Sequence, residues 1–308
     1  LYGLNRQNNT DAVQLVLRAL APKIEQCDQQ LNAQAVGNAL YGLNGQKDTE
    51  VVQQVLRALA PKIEQCDQQL SAQNVGNALY GISQQKDTVA VQLVLRALAP
   101  KIEQCDQQLS AQAVGNALYG VNGQRHTEAV QLVLRALAPK IEQCDQQLSA
   151  QAVGNALYGL SGQLDTEAMQ QVLRALAPKT EQCDQQLSAQ EVGNALYGLN
   201  RQKDTEAVQQ VLRALAQKIE HCDQQFDAQE VGNALYGLNG QKDMEAVHLV
   251  MRALAPKIEQ CDQQLSAQEV GNALYGLKGQ DNTEAVELVL RVLTPKIEQC
   301  DQQLDAQA

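Results

Sequence analysis

The sequence predicts an all-α solenoid of eight helix–turn–helix repeats, the first helix kinked at a proline in all but the sixth. Two observations carry that prediction. The chain has a strict 39-residue period, and each period holds two apolar stripes with helical spacing, separated by polar turns. Aligned on Leu-Tyr-Gly, the copies start at residues 1, 40, 79, 118, 157, 196, 235 and 274, so residues 1–308 read as a single repeat array. Leu1 enters midway through a repeat and Gln307-Ala308 stops short of the next Val-Gly-Asn-Ala, which reads as a fragment of a longer array. Missing targeting signals therefore carry no weight.

The second copy shows how the first helix arises. Asp48-Thr49 offers an N-cap and Glu50 suits the positive end of the helix dipole. Val52, Leu56, Leu59, Ile63, Cys66 and Leu70 then recur at spacings of three and four, a stripe predicting one helix through all six. Pro61 falls inside it, where a lost hydrogen bond costs about 3 kcal/mol. The stripe keeps its phase across Pro61, which favours a kinked helix over two separate ones. By helical angle the proline lies on the water-facing side, and Gln217 takes its place in the sixth copy.

The second helix is clearest in the fifth copy. Ser188-Ala189-Gln190-Glu191 is a capping box, and Leu187 with Val192 fits a hydrophobic staple. Val192, Leu196 and Leu199 form the buried edge. Gly193 and Gly198 each weaken a helix by up to about 1 kcal/mol, so their recurrence predicts close helix–helix contacts with no room for a side chain.

Composition excludes several classes of function. The net charge is −11 and the pI about 4.8, which gives no general attraction for phosphates or anionic membranes. No apolar run is long enough to span a bilayer. There is one cysteine per repeat: Cys27, Cys66, Cys105, Cys144, Cys183, Cys222, Cys261 and Cys300. Equivalent positions in stacked helices stand about 9–10 Å apart, too far to bridge. Buried thiols are therefore expected, and with them an intracellular setting. His126, His221 and His248 occupy three different places in the unit and form no ligand cluster. No nucleophile–base pair or phosphate loop stands out, so neither catalysis, a metal, a cofactor nor a small-molecule substrate is expected.

Two features are candidates for binding. The first is a row on the second helix, at positions i, i+4 and i+7 opposite its buried edge: Gln73, Asn77 and Tyr80; Gln112, Asn116 and Tyr119; Gln151, Asn155 and Tyr158; Gln190, Asn194 and Tyr197; Gln229, Asn233 and Tyr236. Amides can hydrogen-bond an extended ligand, and tyrosines can stack on bases or grip a peptide. The competing reading has the tyrosines packing on one another between repeats. The second feature is a pair that varies in the loop after that helix: Asn5-Arg6, Asn44-Gly45, Ser83-Gln84, Asn122-Gly123, Ser161-Gly162, Asn200-Arg201, Asn239-Gly240 and Lys278-Gly279. Variation at a fixed place suits a modular code, and it also suits drift in an exposed loop. On the outer face Glu50, Arg57 and Glu64 form a mixed-charge ladder, expected to be solvated.

The stretch Leu56-Arg57-Ala58-Leu59 through Leu70-Ser71-Ala72-Gln73, then Val75, Asn77, Leu79-Tyr80 and Ile82, resembles the octotricopeptide repeat. Tyr stands where that family has Trp, and Ala where it has Pro. The resemblance implies a helix-pair solenoid that binds single-stranded RNA repeat by repeat. A weaker likeness is to transcription-activator-like effector repeats, through Leu59-Ala60-Pro61, Cys66 and the pair Asn44-Gly45, and to HEAT repeats through the kinked helix. Excess acid and the placement of Arg57 between two glutamates pull against nucleic acid. A scaffold for an extended protein or peptide partner is thus the leading expectation, with RNA second and no membrane partner.

Overall fold

The computed structural model describes every residue of 1–308 except 6, 8, 125, 126, 204, 242–244 and 302–308. Those residues include Arg6, His126, Gln307 and Ala308, so the expectations resting on them lie outside the described residues. The chain divides into two compact units, Leu1–Gln146 and Gln147–Ala308. Among the described residues there are α-helices, one short 3-10 turn at Tyr2–Leu4 and no strand. The first unit holds α1 (Asp11–Glu25), α2 (Ala33–Tyr41), α3 (Glu50–Gln65), α4 (Ala72–Gly81), α5 (Val89–Glu103), α6 (Ala111–Tyr119) and α7 (Glu128–Glu142). The second holds α8 (Ala150–Tyr158), α9 (Glu167–Gln182), α10 (Ala189–Gly198), α11 (Glu206–Glu220), α12 (Ala228–Tyr236), α13 (Glu245–Gln260), α14 (Ala267–Gly276) and α15 (Glu284–Glu298). Within each unit long helices pack on long helices and short on short, giving the two layers of an α-solenoid.

The long helix begins where the sequence places it. Thr49 is the N-cap and its hydroxyl accepts a hydrogen bond from the Val52 amide at 3.3 Å. The helix runs unbroken through Pro61, whose ring is exposed, as is Gln217 at the equivalent place in α11. On the water side a carbonyl freed by proline is resolvated. The end of the helix is a correction to the sequence reading. It stops at Gln65, and Cys66 has turned to extended backbone at φ −62° and ψ 116°. Cys66 and Leu70 are buried, but in the turn rather than on a helical stripe. Neighbours on both sides take up the terminal carbonyls, which gives the physical reason for the stop. The Gln30 amide donates to the Gln65 oxygen, and the Lys101 ammonium donates to that of Cys66.

The short helix opens on the expected capping box. The Ser188 hydroxyl accepts from the Glu191 amide at 3.2 Å, and the Glu191 carboxylate accepts from the Ser188 amide at 2.8 Å. Leu187 and Val192 are both buried beside it, as a staple requires. Its two glycines differ in how much they are needed. A Cβ on Gly193 would meet the Glu230 carbonyl at 3.4 Å, an ordinary contact. One on Gly198 would lie inside the van der Waals shell of the Leu157 carbonyl. Gly42 against Leu1, Gly81 against Leu40, Gly120 against Leu79, Gly237 against Leu196 and Gly276 against Leu235 repeat that backbone contact.

Polar side chains bind each repeat to the next. The side-chain amide of buried Gln85 donates to the Gln46 carbonyl at 2.8 Å, and that of Gln202 donates to Gln163 at 2.7 Å. Thr205 donates to Gln170 Oε1 at 2.6 Å, and the Ala72 amide donates to Gln107 Oε1 at 3.2 Å. Gly198→Ala is expected to cost about 3 kcal/mol, the upper end for a residue forced into a packed site. Gly193→Ala is expected to be near neutral, since the methyl fits and the better helix propensity returns up to about 1 kcal/mol. Urea unfolding of the two variants measures the difference.

Candidate binding face

The short helices carry the Gln-Asn-Tyr row. Gln73, Gln112, Gln151, Gln190 and Gln229 are exposed, while Asn77, Asn116, Asn155, Asn194 and Asn233 are half-buried, as are Tyr80, Tyr119, Tyr158, Tyr197 and Tyr236. The glycine contact draws consecutive helices together beside each tyrosine, and the rings meet. In the first unit Tyr2, Tyr41, Tyr80 and Tyr119 succeed one another at centroid distances of 6.0, 6.2 and 5.6 Å. In the second, Tyr158, Tyr197, Tyr236 and Tyr275 do so at 5.9, 5.4 and 5.7 Å. The rings lie at 19° to 34° to one another, some stacked and some tilted, within the centroid range of favourable aromatic pairs. The rings thus pack on one another between repeats, the alternative reading of the row, and keep one edge toward solvent.

The amides of the row are used differently. Those of Asn77, Asn116, Asn194 and Asn233 make no hydrogen bond within the protein among the described residues, and they are open to solvent. The same holds for Gln73, Gln112, Gln190 and Gln229. Each unit therefore carries a line of unspent donors and acceptors along a ladder of stacked rings. Tyr197 titrates above its ordinary range, chiefly through burial and also through neighbouring Tyr236 and Tyr158, while Arg201 pulls the other way.

The loop pair lies beside the rings, and its two members do separate jobs. The second member needs left-handed backbone at Gly45 (φ +82°), Gly123 (+75°), Gly162 (+75°) and Gly240 (+86°). Arg201 adopts it at φ +62° without being glycine, while Gln84 stays outside that region. The first member ties loops together. The side-chain amide of Asn200 donates to Ser161 Oγ at 3.2 Å, and the Asn239 carbonyl accepts from the Arg201 amide at 2.8 Å. Asn44, Ser83 and Asn122 are half-buried at the same place. Lys278, standing where other copies have Asn or Ser, puts its ammonium 5.4 Å from the centre of the Tyr275 ring.

Elsewhere several arginines pair with glutamates. Arg57 meets Glu50 at 2.8 Å and Arg174 meets Glu167 at 3.0 Å along one helix, and Arg96 reaches Glu128 of the next repeat at 3.4 Å. These exposed pairs are worth little. The thiols of Cys66, Cys105, Cys144, Cys183, Cys222 and Cys261 are buried, and burial pushes those of Cys105, Cys183, Cys222 and Cys261 up in pKa, away from reactivity. His221 Nδ1 lies 2.7 Å from the Gln217 carbonyl and His248 Nε2 lies 3.4 Å from Thr283 Oγ1. Among the described residues no three metal-ligating side chains come together, and no helix is long and apolar enough to cross a membrane.

Sequence reasoning missed the residues that join the repeats: the Gln85 and Gln107 positions, and the lysine of the long helix's last turn. Their signal was present, because each recurs in copy after copy at places the apolar stripes do not explain.

No family model matches the chain, and no curated protein matches it. Among solved structures, a designed armadillo repeat protein, YIII(Dq)4CqI, is similar at 14% identity and a TM-score of 0.29, over 90% of this chain and 97% of that one. Yeast Rmd9p, solved in complex with a 16-nucleotide target RNA, is similar at 8% identity and a TM-score of 0.20, over 95% of this chain and 86% of its own.

Left-handed backbone strains a residue with a side chain by about 1–2 kcal/mol, part of which a glycine's extra freedom in the unfolded chain offsets. Arg201→Gly is therefore expected to stabilise the protein by up to about 1 kcal/mol in urea unfolding. A loss of stability would show that the arginine side chain supports the fold.

Proposed function

We propose that the chain is a non-enzymatic binding scaffold that holds an extended protein or peptide segment along the Asn-Tyr face. One observation carries the proposal: the line of solvent-open asparagine amides with no partner in the protein, in register with the tyrosine ladder. A side-chain amide offers one acceptor and two donors, the complement of a peptide unit's N–H and C=O. The ring step of 5.4 to 6.2 Å lies close to two residues of an extended chain, about 6.2 Å in polyproline II and about 6.6 Å in a strand. A regular backbone can thus meet equivalent groups on successive repeats. The exposed loop positions beside the rings are where discrimination between partners would arise.

The octotricopeptide resemblance makes single-stranded RNA the alternative, and two features weigh against it. A base inserted between two rings needs about 6.8 Å, twice the 3.4 Å stacking step, and the rings stand closer than that. The net charge is −11 and much of the arginine is paired with glutamate on the outer face, leaving little to neutralise phosphates.

The test uses short labelled peptides of Ser, Thr and Gln, a single-stranded RNA pool at low salt, and two double variants, Asn77→Ala/Asn116→Ala and Asn194→Ala/Asn233→Ala. Each lost hydrogen bond is worth about 1 kcal/mol, so each double variant is expected to weaken peptide binding about ten-fold or more, with the thermal midpoint unchanged. RNA binding without peptide binding would overturn the reading.

A further inference from the structure

We propose that Arg201 and Lys278 are specificity-determining residues that select a partner segment bearing two acidic side chains three or four residues apart. The inference rests on the peptide reading above and names the chemistry of the segment that passes over the second unit.

The backbone of Arg201 is held in an uncommon conformation. Among the described residues five glycines occupy the left-handed position elsewhere in the array, and Arg201 is the residue with a side chain that takes it, at φ +62°. Neighbouring loops on both sides fix that conformation. Its amide donates to the Asn239 carbonyl at 2.8 Å, and Gly240 packs so closely that a Cβ there would lie 3.0 Å from Arg201 Cα. On the other side Asn200 donates to Ser161. A strained conformation kept by cross-links from both neighbours is the pattern found where a side chain is positioned for use. The guanidinium is exposed, makes no ion pair among the described residues, and stands near enough to Tyr197 to favour its phenolate. Nearby Lys203, by contrast, pairs with Asp165 at 3.5 Å.

Lys278 places a second cation over Tyr275, two ring steps from Tyr197, of 5.4 and 5.7 Å. An extended chain advances about 3.1–3.4 Å per residue, so this interval spans three or four residues of a segment lying along the ladder. Between the two cations, the loop pair that follows Tyr236 is the uncharged Asn239-Gly240. The carboxylates on the same helices, Glu191, Glu230 and Glu269, lie in the first turns, where they accept from the N-cap amides in capping boxes. Two cations at this interval, with an uncharged loop pair between them, thus define a register. An arginine or lysine bonded to a carboxylate gains more than a neutral hydrogen bond does, and a mismatched partner loses it.

The experiment measures binding of the whole chain to labelled Ser/Thr/Gln peptides that carry two Glu residues three or four apart, the same peptides with Gln in place of Glu, and the same with Lys. The wild-type chain should bind the best Glu-pair peptide about ten-fold tighter than its Gln counterpart, with that preference shrinking as salt rises. Arg201→Gly and Lys278→Asn each install the residue that other copies carry, which keeps the fold, and together they should abolish the preference while leaving the Gln peptide's affinity unchanged. Equal binding of Glu and Gln peptides, or a preference that survives both substitutions, overturns the inference and leaves the peptide reading standing. Failure of even the Gln peptides to bind overturns that reading and the inference with it. Arg201-dependent capture of single-stranded RNA, with no peptide preference, would assign the two cations to phosphate instead.

Discussion

The architecture of each unit depends on one backbone contact. At the glycine of every described Leu-Tyr-Gly outside the first copy, wherever both partners lie in one unit, the short helix packs against the leucine carbonyl of the preceding repeat with no space for a Cβ. A helix interior tolerates glycine poorly, yet here the missing methyl lets two helices approach backbone to backbone. The adjacent tyrosines are then carried to ring distances of 5.4 to 6.2 Å. Ring faces are consumed by ring faces, and the solvent-facing line is left to phenol edges and to the asparagines one turn earlier. The same contact that closes the fold therefore sets both the step and the chemistry of the candidate binding face.

Near-identity of the copies follows from a second constraint. A polar group that joins one repeat to the next must complement the same unit displaced by one period. Gln85 donates to the backbone of Gln46 and Gln202 to that of Gln163; Lys101 caps the helix before it, and Gln107 accepts from the start of the previous short helix. A change at such a position breaks a bond with a neighbour, and a buried group left unsatisfied costs about 1–3 kcal/mol. His248 is tolerated at a glutamine position because its Nε2 still faces Thr283 Oγ1 at 3.4 Å. Variation is tolerated at the loop edge, where Ser161, Arg201 and Lys278 depart from the common unit without disturbing the stack.

Periodicity and capping rules made much of this legible in the sequence. Thr49 and Ser188 cap the helices they were expected to cap, Pro61 sits on the exposed side, and Val192, Leu196 and Leu199 are buried. The stripe overran the long helix at Cys66 and Leu70, because burial in a turn can continue a three-and-four spacing by coincidence. The row Gln190, Asn194 and Tyr197 was visible as a pattern. Its division into stacked rings and unspent amides was not, since that depends on how closely consecutive helices approach. Nor does the pair Asn200-Arg201 reveal that one member ties loops together while the other takes left-handed backbone.

The most direct test of this account is side-chain amide NMR on protein labelled at asparagine, titrated with a short uncharged Ser/Thr/Gln peptide. If the free amides receive an extended backbone, the Asn77 and Asn116 side-chain resonances move together and saturate, as do those of Asn194 and Asn233, while Asn200, already bonded to Ser161, moves little. Shifts confined to Asn200 and Asn239 at the loop edge, with the row unmoved at saturation, would contradict it.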